Sequence, residues 1–236
     1  MVTLDKILQS QGFGSRKECR ALIAGGYVMV GGLPATEHDR AYETAGLEFT
    51  VDGEDWLYRE KLYLALNKPV DIECSRKPSY HPSVLTLFPD QFMARDLQPV
   101  GRLDHDTTGL LLLSDDGAFI HAQSSPKRHV PKVYRATTAR PVSAELVAAL
   151  KAGVQLHDEP APLAALYCEA LGENRLEIVL EQGKYHQVKR MLAAAGNHCE
   201  ALTRVAIGGL RLDELDLAPG DWMYLEERHL ALLAPA

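Results

Sequence analysis

The chain is poor in the features that mark several large protein classes. It has four cysteines in 236 residues, and Cys19, Cys74, Cys168 and Cys199 stand far apart, with no paired metal-type spacing. That pattern argues against a disulfide scaffold and predicts free thiols in a reducing cytoplasm. No apolar run approaches the ~20 residues needed to span a bilayer. The opening Met-Val-Thr-Leu-Asp-Lys carries charge where a secretory signal needs its apolar stretch, so no membrane association is expected. Internal repeats, low-complexity segments, glycine-rich phosphate loops and a histidine-rich ligand set are also missing.

Net positive charge is lacking too. A formal charge of −7 excludes a protein that coats nucleic acid indiscriminately, but not one that gathers basic residues on one face. Acids cluster at 37–60 and again after Asp213. From Gly117 to Ala144 there is no acidic residue, and Lys127, Arg128, Lys132, Arg135 and Arg140 all fall in that window. A second basic group follows at Lys184, Lys189, Arg190 and Arg204. Either group read alone is as easily a solvated face as a binding surface.

What the chain does contain reads as two parts: a small module over 1–59, linker included, and a larger domain over 60–236. In the first, Leu4, Ile7 and Leu8 recur at helical spacing. Ser15 is placed to cap a second helix that Gly25-Gly26 ends, and Tyr27–Val30 alternates as a strand. Residues 33–60 are acidic and turn-rich, which suits a linker or peripheral strands. The larger domain opens with a strand at Leu62–Leu66 that runs into Asn67-Lys68-Pro69. Further strands are expected at 110–113, 133–138, 163–170, 175–181, 201–207 and 223–225. Helices are expected at 143–152 and 185–195. The sum is an α+β protein: a mixed or antiparallel sheet with a small N-terminal module.

The stretch with most chemistry is Gly101–Gly117. Its second half, Leu110–Leu113, is a buried strand that Ser114-Asp115-Asp116-Gly117 closes as a turn. Its first half holds Asp104 in a polar loop between Gly101 and Gly109. A carboxylate so placed can act as a nucleophile if it stays ionised, which burial opposes and a fixed cation restores. Lys189 and Arg190 are the candidates for that cation. Arg102 is not, because neighbouring side chains of an extended segment point to opposite faces. Asp104, Asp106, Asp115 and Asp116 could instead be read as oxygen ligands for magnesium in a nucleotide hydrolase. The simpler view takes the last two as turn residues and expects no metal.

These residues resemble two known families. Leu-Asp-Lys, Ser-Arg-Lys and the Gly-Tyr-Val strand are similar to the RNA-binding domain named for ribosomal protein S-four, with Gly31-Gly32 where Asn-Gly is usual. That resemblance implies that Arg16, Lys17 and Arg20 face RNA. Gly-Arg-Leu-Asp-x-Asp-Thr-Thr-Gly-Leu-Leu-Leu-Leu-Ser-Asp-Asp-Gly looks like the signature of the RsuA-type pseudouridine synthases. Leu66–Pro69, Lys132-Val133-Tyr134, Gly183–Met191 and Ile207–Leu210 match the remaining motifs in order. The resemblance implies an isomerase, working without cofactor, that converts one uridine of ribosomal RNA to pseudouridine by flipping the base out of its stack. Asp104 is then the nucleophile, Tyr134 stacks on the uracil and Lys189 partners the carboxylate. Arg102 braces the vacated space, while Lys68, Lys127, Arg128, Lys132 and Arg190 contact the RNA.

Two positions depart from the pattern. Asp71 replaces the glycine of Asn-Lys-Pro-x-Gly, and Lys189 stands where related synthases commonly have arginine. The lysine is typical of members of that family acting on the small subunit, which favours 16S RNA, free or partly assembled; the enzyme is expected to be a monomer. The competing readings are a large-subunit synthase and an RNA-binding assembly factor without activity.

Overall fold

The computed structural model describes residues 1–125 and 128–233, which form two compact units. The first comprises Met1–Leu62 together with Leu85–Gln98. Its elements are β1 (Val2–Thr3), α1 (Leu4–Ser10), α2 (Arg16–Ala24), β2 (Val28–Val30), β3 (Leu33–Pro34), β4 (Ala41–Tyr42), β5 (Glu48–Val51), β6 (Glu54–Leu57) and α3 (Asp90–Ala94). Helix α2 starts at a reciprocal cap: the Glu18 N–H donates to the Ser15 hydroxyl at 3.4 Å, and the Ser15 N–H donates to the Glu18 carboxylate at 2.7 Å. Strands run in the order β3-β2-β5-β6, and β1 pairs with β4. Leu4, Ile7, Leu8, Ile23, Val28 and Phe49 make the core. The acidic 33–60 region is therefore neither linker nor periphery throughout, since Phe49 and Val51 are buried.

The segment Leu85–Gln98 was expected in the larger domain and instead joins the first unit. The Phe92 ring meets Trp56 edge-on at 6.4 Å. The Arg95 guanidinium donates to the Gln11 side-chain oxygen at 3.0 Å and to the Glu60 carbonyl at 3.1 Å. Nothing in a linear reading of 85–98 signals a partner so far upstream.

The second unit takes Tyr63–Val84 and the chain from Pro99 onward. Its strands are β7 (Tyr63–Lys68), β8 (Gln98–Val100, at the boundary), β9 (Thr107–Ser114), β10 (Lys132–Thr138), β11 (Tyr167–Gly172), β12 (Arg175–Leu180), β13 (Cys199–Ile207), β14 (Leu210–Arg211) and β15 (Trp222–Tyr224). Helices α4 (Gly117–Ser124), α5 (Ala144–Ala152), α6 (Gln187–Ala194) and α7 (Glu227–Ala231) accompany them. The sheet order is β11-β12-β10-β13-β9-β7-β15, with β14 on β13 and β8 on β9. The pairing is antiparallel except between β9 and β13 among the pairs whose register is resolved, which makes the sheet mixed. Central position explains the unbroken Leu110–Leu113 run: all four side chains are fully buried, so no alternation survives.

Ser114-Asp115-Asp116-Gly117 is not merely a turn. Asp116 caps α4, its carboxylate accepting the Ala118 N–H at 2.9 Å. The helix was not legible in the sequence because its apolar residues Phe119 and Ile120 are adjacent rather than spaced along one face.

Gly109 fixes where β9 meets β13. Its φ is +99°, and a Cβ there would lie 2.2 Å from the Arg204 carbonyl oxygen. Backbone stands where a side chain would go, so Gly109→Ala is expected to cost about 3 kcal/mol or more, measured by urea unfolding. A loss below about 1 kcal/mol would show that the two strands part freely.

Candidate active site

The second unit holds a cavity of about 460 Å³ whose walls come from the Asp104 loop, β10, β13 and the segment leading into α6. Asp104, Arg102, Lys132, Tyr134, His186 and Arg204 all line it. Four of these were singled out from sequence, Asp104, Tyr134, Arg102 and Lys132, and the fold brings them together from distant parts of the chain.

Asp104 is gripped on both carboxylate oxygens. The Lys189 ammonium donates to Oδ2 at 3.2 Å and to Asp106 Oδ1 at 2.6 Å, while His186 Nε2 lies 3.2 Å from Asp104 Oδ1. Lys189 sits one turn into α6, a helix whose Val188, Met191 and Leu192 are buried. Burial alone would weaken the lysine charge, but Asp106 and Asp104 outweigh it and the net shift is upward. Asp106 shows the mirror image: burial would raise it, yet the Lys189 contact holds it below the usual carboxylate range. A cation shared by two carboxylates offsets the repulsion between them.

His186 and Asp106 were missed as partners of this group. His186 precedes α6 in the left-handed region at φ 47°, which turns the chain so that the imidazole reaches Asp104. The only sequence signal was its place in Gly183–Met191.

Lys68 is a correction. It was expected to hold phosphate, but the side chain is fully buried and its ammonium donates to the carbonyls of Pro69 (2.9 Å), His105 (3.1 Å) and Thr107 (2.9 Å). All three N–H groups are thereby used, so Lys68 clamps the backbone beside Asp104 and has no free donor for a phosphate. Burial lowers its pKa, which the nearby acids only partly resist. Asp71, the departure from glycine, does occupy positive φ, at 60°, a region that aspartate tolerates better than most residues. Its N–H donates to the His105 carbonyl at 2.8 Å, a second tie on the same loop. Its carboxylate lies 3.7 Å from His105 and 4.0 Å from His81, whose rings stack at 4.3 Å.

The basic run also divides. Alternation along β10 sends Lys132 and Tyr134 to the cavity, while Arg135 pairs with Glu177 at 3.0 Å. Lys132 is therefore not part of an outer phosphate face: it is half-buried, with its ammonium donating to the Val130 carbonyl at 2.8 Å. Arg128 is exposed, and Lys127 lies outside the described residues. Arg190 is drawn into the fold by Asp158 and by the Tyr185 carbonyl. The magnesium reading fails on distance: Asp104 and Asp106 precede β9 and Asp115 and Asp116 follow it, and eight extended residues separate the pairs by roughly 25 Å.

Residues 62–194 match the family of RNA pseudouridylate synthases. The chain belongs to that family. This synthase is an isomerase, and its residues 2–40 match the S4 domain. It is 38% identical to the uncharacterized RNA pseudouridine synthase YtzG of Bacillus subtilis, over 98% of this chain and 97% of the relative. It is also 38% identical to ribosomal small subunit pseudouridine synthase A of Escherichia coli K12, over 97% of this chain and 98% of that protein. A crystal structure of a pseudouridylate synthase, 33% identical, superposes with a TM-score of 0.69 and covers 99% of this chain and 100% of the other.

In the S4 domain of the synthase, Arg16 and Arg20 project from α2 with each Nε donating to Asp5 Oδ2 at 2.9 Å, and Lys17 is exposed. Asp5 is buried, and burial would raise its pKa. Hydrogen bonds from Thr3, Arg20 and Arg16 outweigh that and hold it far below the usual value of 3.8. A lowered folded pKa means that this stability is complete above 3.8 and is lost as pH falls further, because the unfolded chain takes up its proton first. Asp5→Asn should cost about 2 kcal/mol at pH 7, moderated by the half-exposed arginines, and the deficit should narrow toward pH 2 in urea melts. Lys68→Met should remove one donor from each of three carbonyls, of which His105 keeps the Asp71 N–H, and cost about 3 kcal/mol, with RNA affinity little changed. Weakened RNA binding at full stability would restore Lys68 to a phosphate role.

Proposed function

We propose that this synthase isomerises a specific uridine of small-subunit (16S) ribosomal RNA to pseudouridine, with Asp104 as the nucleophile at the ribose anomeric carbon. The observation that carries this reading is Asp104 at the wall of a cavity that Tyr134 also lines, with the Lys189 ammonium donating to its carboxylate at 3.2 Å. The target base leaves its stack to enter, which costs a few kcal/mol and favours an unpaired site. Tyr134 then stacks on the uracil, and the exposed Arg102 fills the place the base vacated. Arg16, Lys17, Arg20 and Arg128 supply phosphate contacts, as does Lys127, which would make binding weaken steeply with salt. Arg190 keeps a lesser part, through whatever contact it retains beside Asp158.

Small-subunit specificity draws on the names of the relatives from Escherichia coli and Vibrio cholerae, 38% and 36% identical over nearly the whole chain. The setting that fits is ribosome assembly in the cytoplasm, with the enzyme acting as a monomer and without cofactor. Among the described residues no helix is long and apolar enough to cross a membrane, which is compatible with that setting.

The test is tritium release from small-subunit RNA carrying uridine labelled at C5, because the new carbon–carbon bond expels that hydrogen. The wild type should release one equivalent per target site, and Asp104→Asn should lose at least about 10⁴-fold in rate. Release from large-subunit RNA alone would overturn the specificity. Full activity in Asp104→Asn would overturn the nucleophile.

A further inference from the structure

Most of the charge in the cavity is paired. Asp104 has Lys189 and His186, Lys184 has Glu159 at 3.0 Å, and Glu181 has His129 at 3.2 Å. Apart from the exposed Arg102, two cations withdrawn from solvent are different. Lys132 and Arg204 both line the cavity, and among the described residues neither forms an ion pair with a carboxylate. Arg204 is only 3% exposed. Its Nε donates to the Leu110 carbonyl at 2.7 Å, but its Nη2 is buried with no partner. Thr107, on the same cavity, likewise carries a buried hydroxyl with no partner.

The two cations also act on each other. The Lys132 ammonium is pushed down to about 8, first by burial and then by the Arg204 guanidinium, with no acid pulling it back. A fold that holds two like charges together in a desolvated place, with donors left over, sits at a free-energy disadvantage until an anion arrives. Register adds the geometry: Tyr134 on β10 stands directly opposite Arg204 on β13, so ring and guanidinium share one face.

We propose that Lys132 and Arg204 form an anion site in the cavity that holds the detached uracil as its conjugate base. The inference rests on Asp104 acting at the anomeric carbon as above. As the N1–C1′ bond breaks, its electron pair leaves with the uracil, whose negative charge spreads over N1, O2 and O4. The carboxylate oxygen of Asp104 bonds to C1′. When C5 attacks C1′, that bond breaks and the carboxylate is restored. The proton at C5 then passes to water, and N1 takes one up. Between the two bond-making steps the base is a free anion that must turn over without escaping. Fixed cations in a low-dielectric pocket stabilise that species and cost no reorganisation when it forms.

A backbone phosphate is the weaker occupant. The ribose stays joined to its strand through two phosphodiesters, so phosphates remain near the mouth, on the side of the exposed Arg102. Arg204 is too deeply buried to meet them, whereas a flipped base projects inward from the sugar.

The test compares the full-length wild type with Lys132→Met and Lys132→Arg, in single-turnover tritium release from the same labelled RNA. Lys132→Met should react roughly 100-fold more slowly with RNA affinity within about threefold of wild type. Lys132→Arg, which keeps the charge, should recover most of that loss. Lys132→Met should also melt at or above the wild-type temperature, because it removes the repulsion, an effect no purely structural role would produce. A wild-type rate in Lys132→Met, a lowered melting temperature, or a loss confined to RNA affinity would each overturn the anion site. Absence of release by the wild type would instead overturn the proposed reaction itself.

Discussion

Everything near Asp104 depends on one buried ammonium that never touches the cavity. Lys68 gives its three N–H bonds to three carbonyls, two of them in the loop that carries Asp104 into β9. A lysine is costly to bury, and its three hydrogen bonds to these carbonyls offset that cost. The return is a loop that cannot drift. With the 105–107 backbone anchored, Lys189 can meet Asp104 and Asp106 together, and Gly109 can seat β9 against the Arg204 backbone. Reactive carboxylates need supports that are stiffer than the loops they stand on.

Charge in this unit is sorted by depth. At the wall of the cavity Asp104 is matched by Lys189 and His186. Further in, Lys132 and Arg204 are unmatched, so the interior has a positive bias. On the proposed reaction, an incoming ribose would meet a negative group at its anomeric carbon and its base a positive region beyond. That polarity runs in the direction in which electrons move when the glycosidic bond opens. The chain's net charge of −7 conceals this arrangement, because an overall sum carries no information about depth.

Much of the architecture could be read from spacing. Ser15 as a cap, the Leu110–Leu113 strand, the Ser143 cap and the α6 helix ended by Gly196 all rest on local rules, and local rules are visible in a sequence. The need for a fixed cation left Lys189 and Arg190 open; the resemblance singled out Lys189, and the fold places its ammonium 3.2 Å from Asp104. What could not be read depends on burial. Lys68 and Lys132 look like surface phosphate contacts until the sheet encloses them, and Arg135 leaves its basic neighbours only because strand β10 alternates. His186 reaches Asp104 through a left-handed turn that no propensity rule assigns to histidine.

The first unit closes only with the chain from Leu85 to Gln98, which lies downstream of strand β7 of the second. As the protein is made from its N-terminus, Trp56 and Gln11 emerge well before Phe92 and Arg95, their partners. The leading module is therefore incomplete while β7 is already being synthesised, and the two units cannot mature strictly one after the other. A truncation at residue 62 would expose the face that Phe92 and Leu97 cover, so the natural excisable piece is not the N-terminal stretch but the stretch plus its later return.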